Sequence, residues 1–265
     1  VVDAQAELVA RWMLVGFVHG VLNTDNTTIS GETIDYGPCA FMDAFDPATV
    51  FSSIDHGGRY AYGNQPAITQ WNLARLAETL IPLVEGDDDT SIAAVTEVLE
   101  TFDDRYRRAW VDGMGPKLGL PRPSAEEQAL FGDLLDLLHA HRVDYTSTFR
   151  ALAASLRGDG APLADLFGGS GAPDHWAGRW RASLVERSSD LPTVADAMDA
   201  VNPVYVPRNH LVEEALAAAV DGDLAPFEEL MAKLRHPFDE RPGAARFARP
   251  APASFTDTFQ TFCGT

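Results

Sequence analysis

Apolar positions along this chain recur at three- and four-residue intervals over most of its length, the spacing that places them on one face of a helix. The pattern predicts helices over 67–83, 90–111, 125–139, 145–156, 176–186, 194–200, 209–220 and 224–234. Asp, Ser, Thr or Pro stands near several of their starts, where a side-chain oxygen or a fixed φ suits the first turn. A further helix-like stretch, 4–18, precedes them. Between 19 and 66 the periodicity is lost. There the β-branched residues on either side of Ser30-Gly31, within 27–34, predict a tight hairpin. The Asp, Pro and Gly punctuation of 39–66 predicts a long irregular loop. Gly168-Gly169-Ser170-Gly171 follows no strand and reads as a flexible connector rather than a phosphate loop. The whole is a mainly α chain with a small hairpin near its start.

Composition narrows the classes open to it. With 265 residues and 46% hydrophobic content the chain can bury a sizeable core, and one main domain is expected. No stretch is long and apolar enough for a membrane span, no signal peptide opens the sequence, and a cytoplasmic location is expected. Lys plus Arg number 20 against 39 Asp plus Glu, a formal charge of -19 that argues against nucleic acid or an anionic membrane as partner. Any attraction for a nucleotide must therefore be local.

Candidate chemistry is concentrated in the aperiodic stretch. His19-Gly20-Val21-Leu22-Asn23-Thr24-Asp25-Asn26 is followed by Ile34-Asp35-Tyr36-Gly37-Pro38. In protein kinases a histidine opens the catalytic loop, an asparagine seven positions later holds magnesium, and an aspartate in an Asp-Phe-Gly turn holds the metal–phosphate complex. His19 and Asn26 keep that offset, and Asp35-Tyr36-Gly37 takes the place of Asp-Phe-Gly. The position of the expected base aspartate, two after the histidine, is occupied by Val21. The one carboxylate left in the loop is Asp25. Hard oxygen ligands suit Mg2+ or Mn2+ bridging phosphates, and a carboxylate within reach of a hydroxyl can take its proton. His19 follows the apolar run Val15-Gly16-Phe17-Val18 and is expected as a buried, hydrogen-bonded ring rather than a catalyst.

The stretch 19–38, together with Asp55-His56, Gly58-Arg59-Tyr60, Asn64-Gln65-Pro66 and Gln70-Trp71-Asn72-Leu73, closely resembles the SelO-type protein adenylyltransferases. The likeness resumes in Asn202-Pro203, Arg208-Asn209-His210-Leu211, Pro237-Phe238-Asp239-Glu240 and Phe262-Cys263-Gly264-Thr265. It implies a protein-kinase-like C-terminal lobe, with the hairpin at the catalytic and metal loop and an α-helical C-terminal extension. On that reading residues 1–66 carry the catalytic loop, metal turn and an activation-segment-like loop, and 67–265 form the helical remainder of the same compact domain. The implied activity is AMP transfer from ATP to Ser, Thr or Tyr hydroxyls of proteins. Asp25 becomes the proton acceptor, Asn26 and Asp35 the metal ligands, and Asp35 also contacts the nucleotide. A complete kinase-like enzyme carries a strand-rich N-terminal lobe with a glycine-rich loop and a lysine. Here the first lysine is Lys117, so that lobe is expected to be a missing partner of this chain.

Two other readings stand beside this one. Kinase-like phosphoryl transfer to a small molecule or a protein shares the His-Gly, Asn and Ile-Asp pattern but normally has an aspartate where Val21 stands. A catalytically incomplete helical fragment acting as an interaction domain is the other. Elsewhere the signals are bland. Arg105, Arg107 and Arg108 read as a solvated helix face, Asp87-Asp88-Asp89 as a helix-start charge run, and His139 and His141 as surface or cap residues. The resemblance also points to Cys263, because some members carry selenocysteine near that end. A Cys39–Cys263 disulfide stands beside the expectation of two free thiols in a reducing compartment.

Overall fold

In the computed structural model, which describes residues 1–262, the first helix stops three residues short of its expected end. This helix, α1, spans Val2–Val15. Gly16 ends it by adopting a left-handed conformation, φ 73°, from which its N–H bonds back to the Trp12 carbonyl. The next two residues are released into strand β1, Phe17–Val18, which pairs with β2, Ala40–Phe41. These form the one sheet among the described residues. The hairpin expected over 27–34 reduces to a single antiparallel bridge between Thr27 and Thr33.

The chain divides into two compact units. The first comprises Val1–Ala40, Pro47–Gly113 and the described residues from Gln260 onward. Its helices are α1; α2, Gln65–Leu80; α3, Asp88–Glu100; and most of α4, Phe102–Lys117. The single helix expected over 90–111 is thus two. Its break is at Thr101, whose hydroxyl donates to the Val98 carbonyl and offers the backbone a local alternative to the helical ladder. Asp87 caps α3 by accepting from the Thr90 N–H, as the charge run there suggests. Ala6, Leu73 and Phe102 bury a small core at which α1, α2 and α4 meet. Of the arginine cluster, Arg105 pairs with Asp3, while Arg107 and Arg108 are exposed.

The second unit comprises Phe41–Asp46 and Met114–Phe259. It holds α5, Ala125–His141; α6, Tyr145–Leu156; α7, Ala161–Leu166; α8, Asp174–Arg187; α9, Leu191–Asp199; α10, Asn209–Val220; and α11, Ala225–Leu234. Two single-turn helices, α12, Ala245–Ala248, and α13, Ala253–Thr256, complete it. Ser124 and Glu127 form a reciprocal capping box at the start of α5. Phe131, Leu134, Phe149, Leu152, Trp180 and Met198 are fully buried. Arg208, itself without solvent exposure, donates to Asp144 at 2.7 and 2.9 Å and to Asp43 at 2.5 Å, tying 41–46 to the start of α6. His139 and His141 are exposed, and among the described residues no three His, Cys, Asp or Glu side chains gather as a metal cluster. No helix among them is long and apolar enough to cross a membrane.

Lys117, at the end of α4, is 5% exposed, and its ammonium nitrogen lies 3.9 Å from the centroid of the Phe149 ring. A second ring, that of Tyr145, is 5.8 Å away. Two aromatic faces replace only part of an ammonium's hydration. Burial pushes its pKa down from 10.5 to about 7. The unfolded chain then holds the Lys117 proton up to about 10.5, where the folded chain has already released it. Stability therefore rises as pH climbs from about 7 to about 10.5, and it is lost on the way down. Lys117→Met keeps the length of the side chain and removes the charge. It is expected to stabilise the protein at neutral pH by about 1–4 kcal/mol and to flatten this pH dependence in urea denaturation. An unchanged slope between neutral and alkaline pH would show that Lys117 is not its source.

Candidate active site

The loop 19–26 is held from beneath by two amide side chains of α2. Gln65 donates from Nε2 to the Phe17 carbonyl at 2.9 Å, and its Oε1 accepts from the His19 N–H at 2.9 Å. Three residues later in the loop, Asn72 donates to the Leu22 carbonyl at 3.0 Å. Gln65, His19 and Asn72 are all buried, so each bond satisfies a backbone group that water cannot reach.

His19 is a fully buried ring, as its apolar approach predicts. Its Nε2 lies 2.9 Å from the Ile34 carbonyl. A carbonyl only accepts, so Nε2 carries the proton and Nδ1 faces its surroundings without a partner among the described residues. Burial lowers its pKa, against the Ile34 carbonyl and the Asp35 charge, which raise it. The ring is neutral near pH 7 and binds the start of one loop to the residue before Asp35.

The predicted site residues all lie in the first unit. Asp25 sits in a 3-10 turn, Thr24–Asn26, and is exposed. Asn26 is half-buried and donates from Nδ2 to the Val21 carbonyl at 2.8 Å, which leaves its amide oxygen as the end open to a cation. Asp35 is exposed and takes a left-handed backbone, φ 54°, which aspartate tolerates better than most residues. One amide oxygen and one carboxylate are hard donors that fit a magnesium- or manganese-sized ion, provided phosphate oxygens and water fill the other positions. Val21, in the place of the usual base, is buried, and so Asp25 remains the loop's one accessible carboxylate.

The segment between Asn26 and Asp35 is pinned to α1. Trp12 donates to the Thr33 hydroxyl at 2.9 Å, and Gln5 donates to the Thr28 carbonyl. Gly31, φ 75°, comes so close that a Cβ there would stand 2.7 Å from that of Ala4. This docking explains why the segment forms one bridge rather than a free hairpin. Beside it opens a recess of about 280 Å³, lined in part by Gln5, Thr24, Thr27, Thr28, Asn72 and Arg75.

On the other side of Asp35, Pro38 is held by a segment distant in sequence. Thr261 donates its hydroxyl to the Pro38 carbonyl at 2.7 Å, and its backbone pairs with Phe51 and Ser53. Cys39 is half-buried and its thiol pKa is pushed up to about 11, chiefly by burial. Cys263 lies outside the described residues.

Sequence spacing finds Asp25, Asn26 and Asp35 but not the supports Gln65, Asn72 and Tyr60. Tyr60 donates its hydroxyl to the Asn23 amide oxygen, joining the irregular segment to the loop. Gln65 and Asn72 stand in stretches that carry the family resemblance, and both are polar on the buried face of a helix, but neither signal assigns them a partner. Gln65→Leu leaves the Phe17 carbonyl and the His19 N–H buried without partners. It is expected to cost about 2–4 kcal/mol in chemical denaturation, and a loss below about 0.5 kcal/mol would remove Gln65 from this role.

Comparison with known proteins adds a second line of observation. The family described as "Protein adenylyltransferase SelO" matches residues 1–235. The protein nucleotidyltransferase YdiU of Rhodococcus jostii (strain RHA1) is 58% identical over 268 residues, covering 100% of this chain and 51% of that protein. Its namesake from Mycolicibacterium paratuberculosis (strain ATCC BAA-968 / K-10) is 56% identical, with 100% and 53% covered. For that of Chromobacterium violaceum the values are 54%, 100% and 56%. The chain spans about half the length of the curated relatives it matches.

Proposed function

Since this chain belongs to the SelO family of protein adenylyltransferases, we propose that the protein of which it forms about half transfers AMP from ATP to hydroxyl side chains of other proteins. Its fold on this reading is the C-terminal lobe of a kinase-like enzyme, with residues 1–66 carrying the reacting loops and 67–265 the helical remainder. The relatives' remaining length would supply the lobe that completes nucleotide binding.

The observation that carries the reading is the 2.9 Å contact from His19 Nε2 to the Ile34 carbonyl. It ties the start of the loop bearing Asp25 and Asn26 to the residue before Asp35, which supports reading the three as parts of one site. Asp25 accepts the proton of the acceptor hydroxyl as that oxygen attacks the α-phosphorus of ATP. The new oxygen–phosphorus bond forms, the bond to the β-phosphate oxygen breaks, and pyrophosphate leaves. Asn26, through Oδ1, and Asp35 would hold the magnesium or manganese ion, with Asp35 also facing the nucleotide. When bound, that ion neutralises phosphate charge. The neutral His19 ring takes no proton in this scheme and acts only by position.

The full-length protein, incubated with ATP, manganese and an acceptor protein, is expected to give an AMP adduct by intact mass. A phosphate adduct would instead return phosphoryl transfer to first place. Asp25→Ala is expected to lower the transfer rate at least about a hundredfold while leaving ATP affinity unchanged. Asp35→Ala is expected to abolish metal-dependent ATP binding in calorimetry. Unimpaired transfer in the first variant, or unaltered binding in the second, would remove that residue from its role.

A further inference from the structure

Arg59, Tyr60, Trp71 and Arg75 form a cationic and aromatic patch that the proposed chemistry does not use. Trp71 is 43% exposed. The Arg59 guanidinium carbon lies 4.7 Å from its ring centroid and that of Arg75 5.1 Å from it, while Arg59 also lies 5.7 Å from the Tyr60 centroid. Arg75 is paired with Glu78 at 2.7 Å. Arg59 is exposed, and among the described residues its guanidinium meets no carboxylate and no hydrogen-bond acceptor. Stacking holds a guanidinium by its face and leaves the edge, where the N–H groups are, for a ligand. The side chain is therefore arranged for bidentate recognition of a carboxylate, and its backbone is fixed too. Asp55 accepts the Arg59 and Tyr60 N–H groups at 2.8 Å each.

The patch is joined to the reacting loop in two ways. Tyr60 donates its hydroxyl to Asn23, two residues before Asp25. Arg75 lines the recess that also takes in Thr24, the neighbour of Asp25. In a chain of formal charge -19, an unpaired arginine on an aromatic platform is a local exception, and it suits a partner segment of negative charge. We propose that Arg59, held by Trp71 and Tyr60, binds an acidic side chain in the acceptor protein, next to the hydroxyl that receives AMP. The patch is then a specificity determinant for acceptors with glutamate or aspartate close to the modified residue. This rests on the adenylyl-transfer reading for its consequence but not for its binding step.

The test uses the full-length protein and two labelled peptides, each with a central serine, one flanked by glutamates and the other by glutamines. In fluorescence anisotropy the glutamate peptide is expected to bind about tenfold more tightly, the gain of one charge-assisted bidentate pair. Arg59→Gln is expected to erase that preference while leaving affinity for ATP and far-ultraviolet circular dichroism unchanged. Trp71→Leu, which removes the platform and keeps the charge, is expected to weaken it partly. Equal binding of the two peptides, or a preference that survives in Arg59→Gln, would overturn the proposal. So would ATP displacing the glutamate peptide from the patch, since Arg59 would then serve the nucleotide. The same peptides assayed for AMP transfer separate the two ideas. An Arg59-dependent preference without transfer supports the docking site and counts against the activity, whereas transfer at equal rates from equal binding does the reverse.

Discussion

One uncharged imidazole organises the first unit. His19 is buried completely, receives an amide oxygen on its backbone N–H, and gives its own ring proton to the carbonyl before Asp35. A charged ring in that position would carry the desolvation cost of a buried cation, and burial accordingly lowers its pKa. Neutrality leaves the ring a directional strut of fixed tautomer. The loop bearing Asp25 and Asn26 and the turn bearing Asp35 are then two ends of one rigid connection, although fifteen residues separate His19 from Ile34. Gln65, Asn72, Trp12 and Gln5 extend the connection into α1 and α2.

How much of this is legible in sequence depends on the range of the interaction concerned. Helix α6 is readable to the residue, because Asp144 supplies a cap directly ahead of a strong apolar period. The division of 90–111 into α3 and α4 is not readable. Apolar spacing continues through it, and the break comes from a threonine hydroxyl bonding three residues back. The end of α1 at Gly16 is a case in between. A glycine there is a stop signal, but the apolar run that continues through Phe17 and Val18 hides it. The short helices α7, α12 and α13 hold too few turns for a period to emerge.

At the candidate site, the groups proposed to react are visible through their spacing, and the bonds that support them are not. Asp25, Asn26 and Asp35 lie within a stretch short enough for an offset to carry meaning. Gln65 acts on backbone groups 46 and 48 residues away, and no local pattern encodes such a bond. Their place in stretches that carry the family resemblance, and their polarity on a buried helix face, are the traces they leave. The electrostatics follow the same division. Net charge argues against broad anion binding, but only the structure separates Arg59, stacked on Trp71 with no carboxylate beside it among the described residues, from Arg75 and Arg105, which are paired with carboxylates.

Thr261 gives the order of synthesis a structural consequence. Its hydroxyl and backbone bind Pro38, Phe51 and Ser53, so the neighbourhood of the Asp35 turn is finished by residues more than two hundred positions downstream. On the ribosome, α1 and α2 emerge before the second unit, but the clasp on their loops is translated only after the whole helical series of that unit. The first unit can therefore collapse early yet complete itself last. Loop closures of this length slow folding far more than they weaken the folded state. Until residue 261 is made, the nascent chain has Asp25 and Asp35 without the clasp at Pro38.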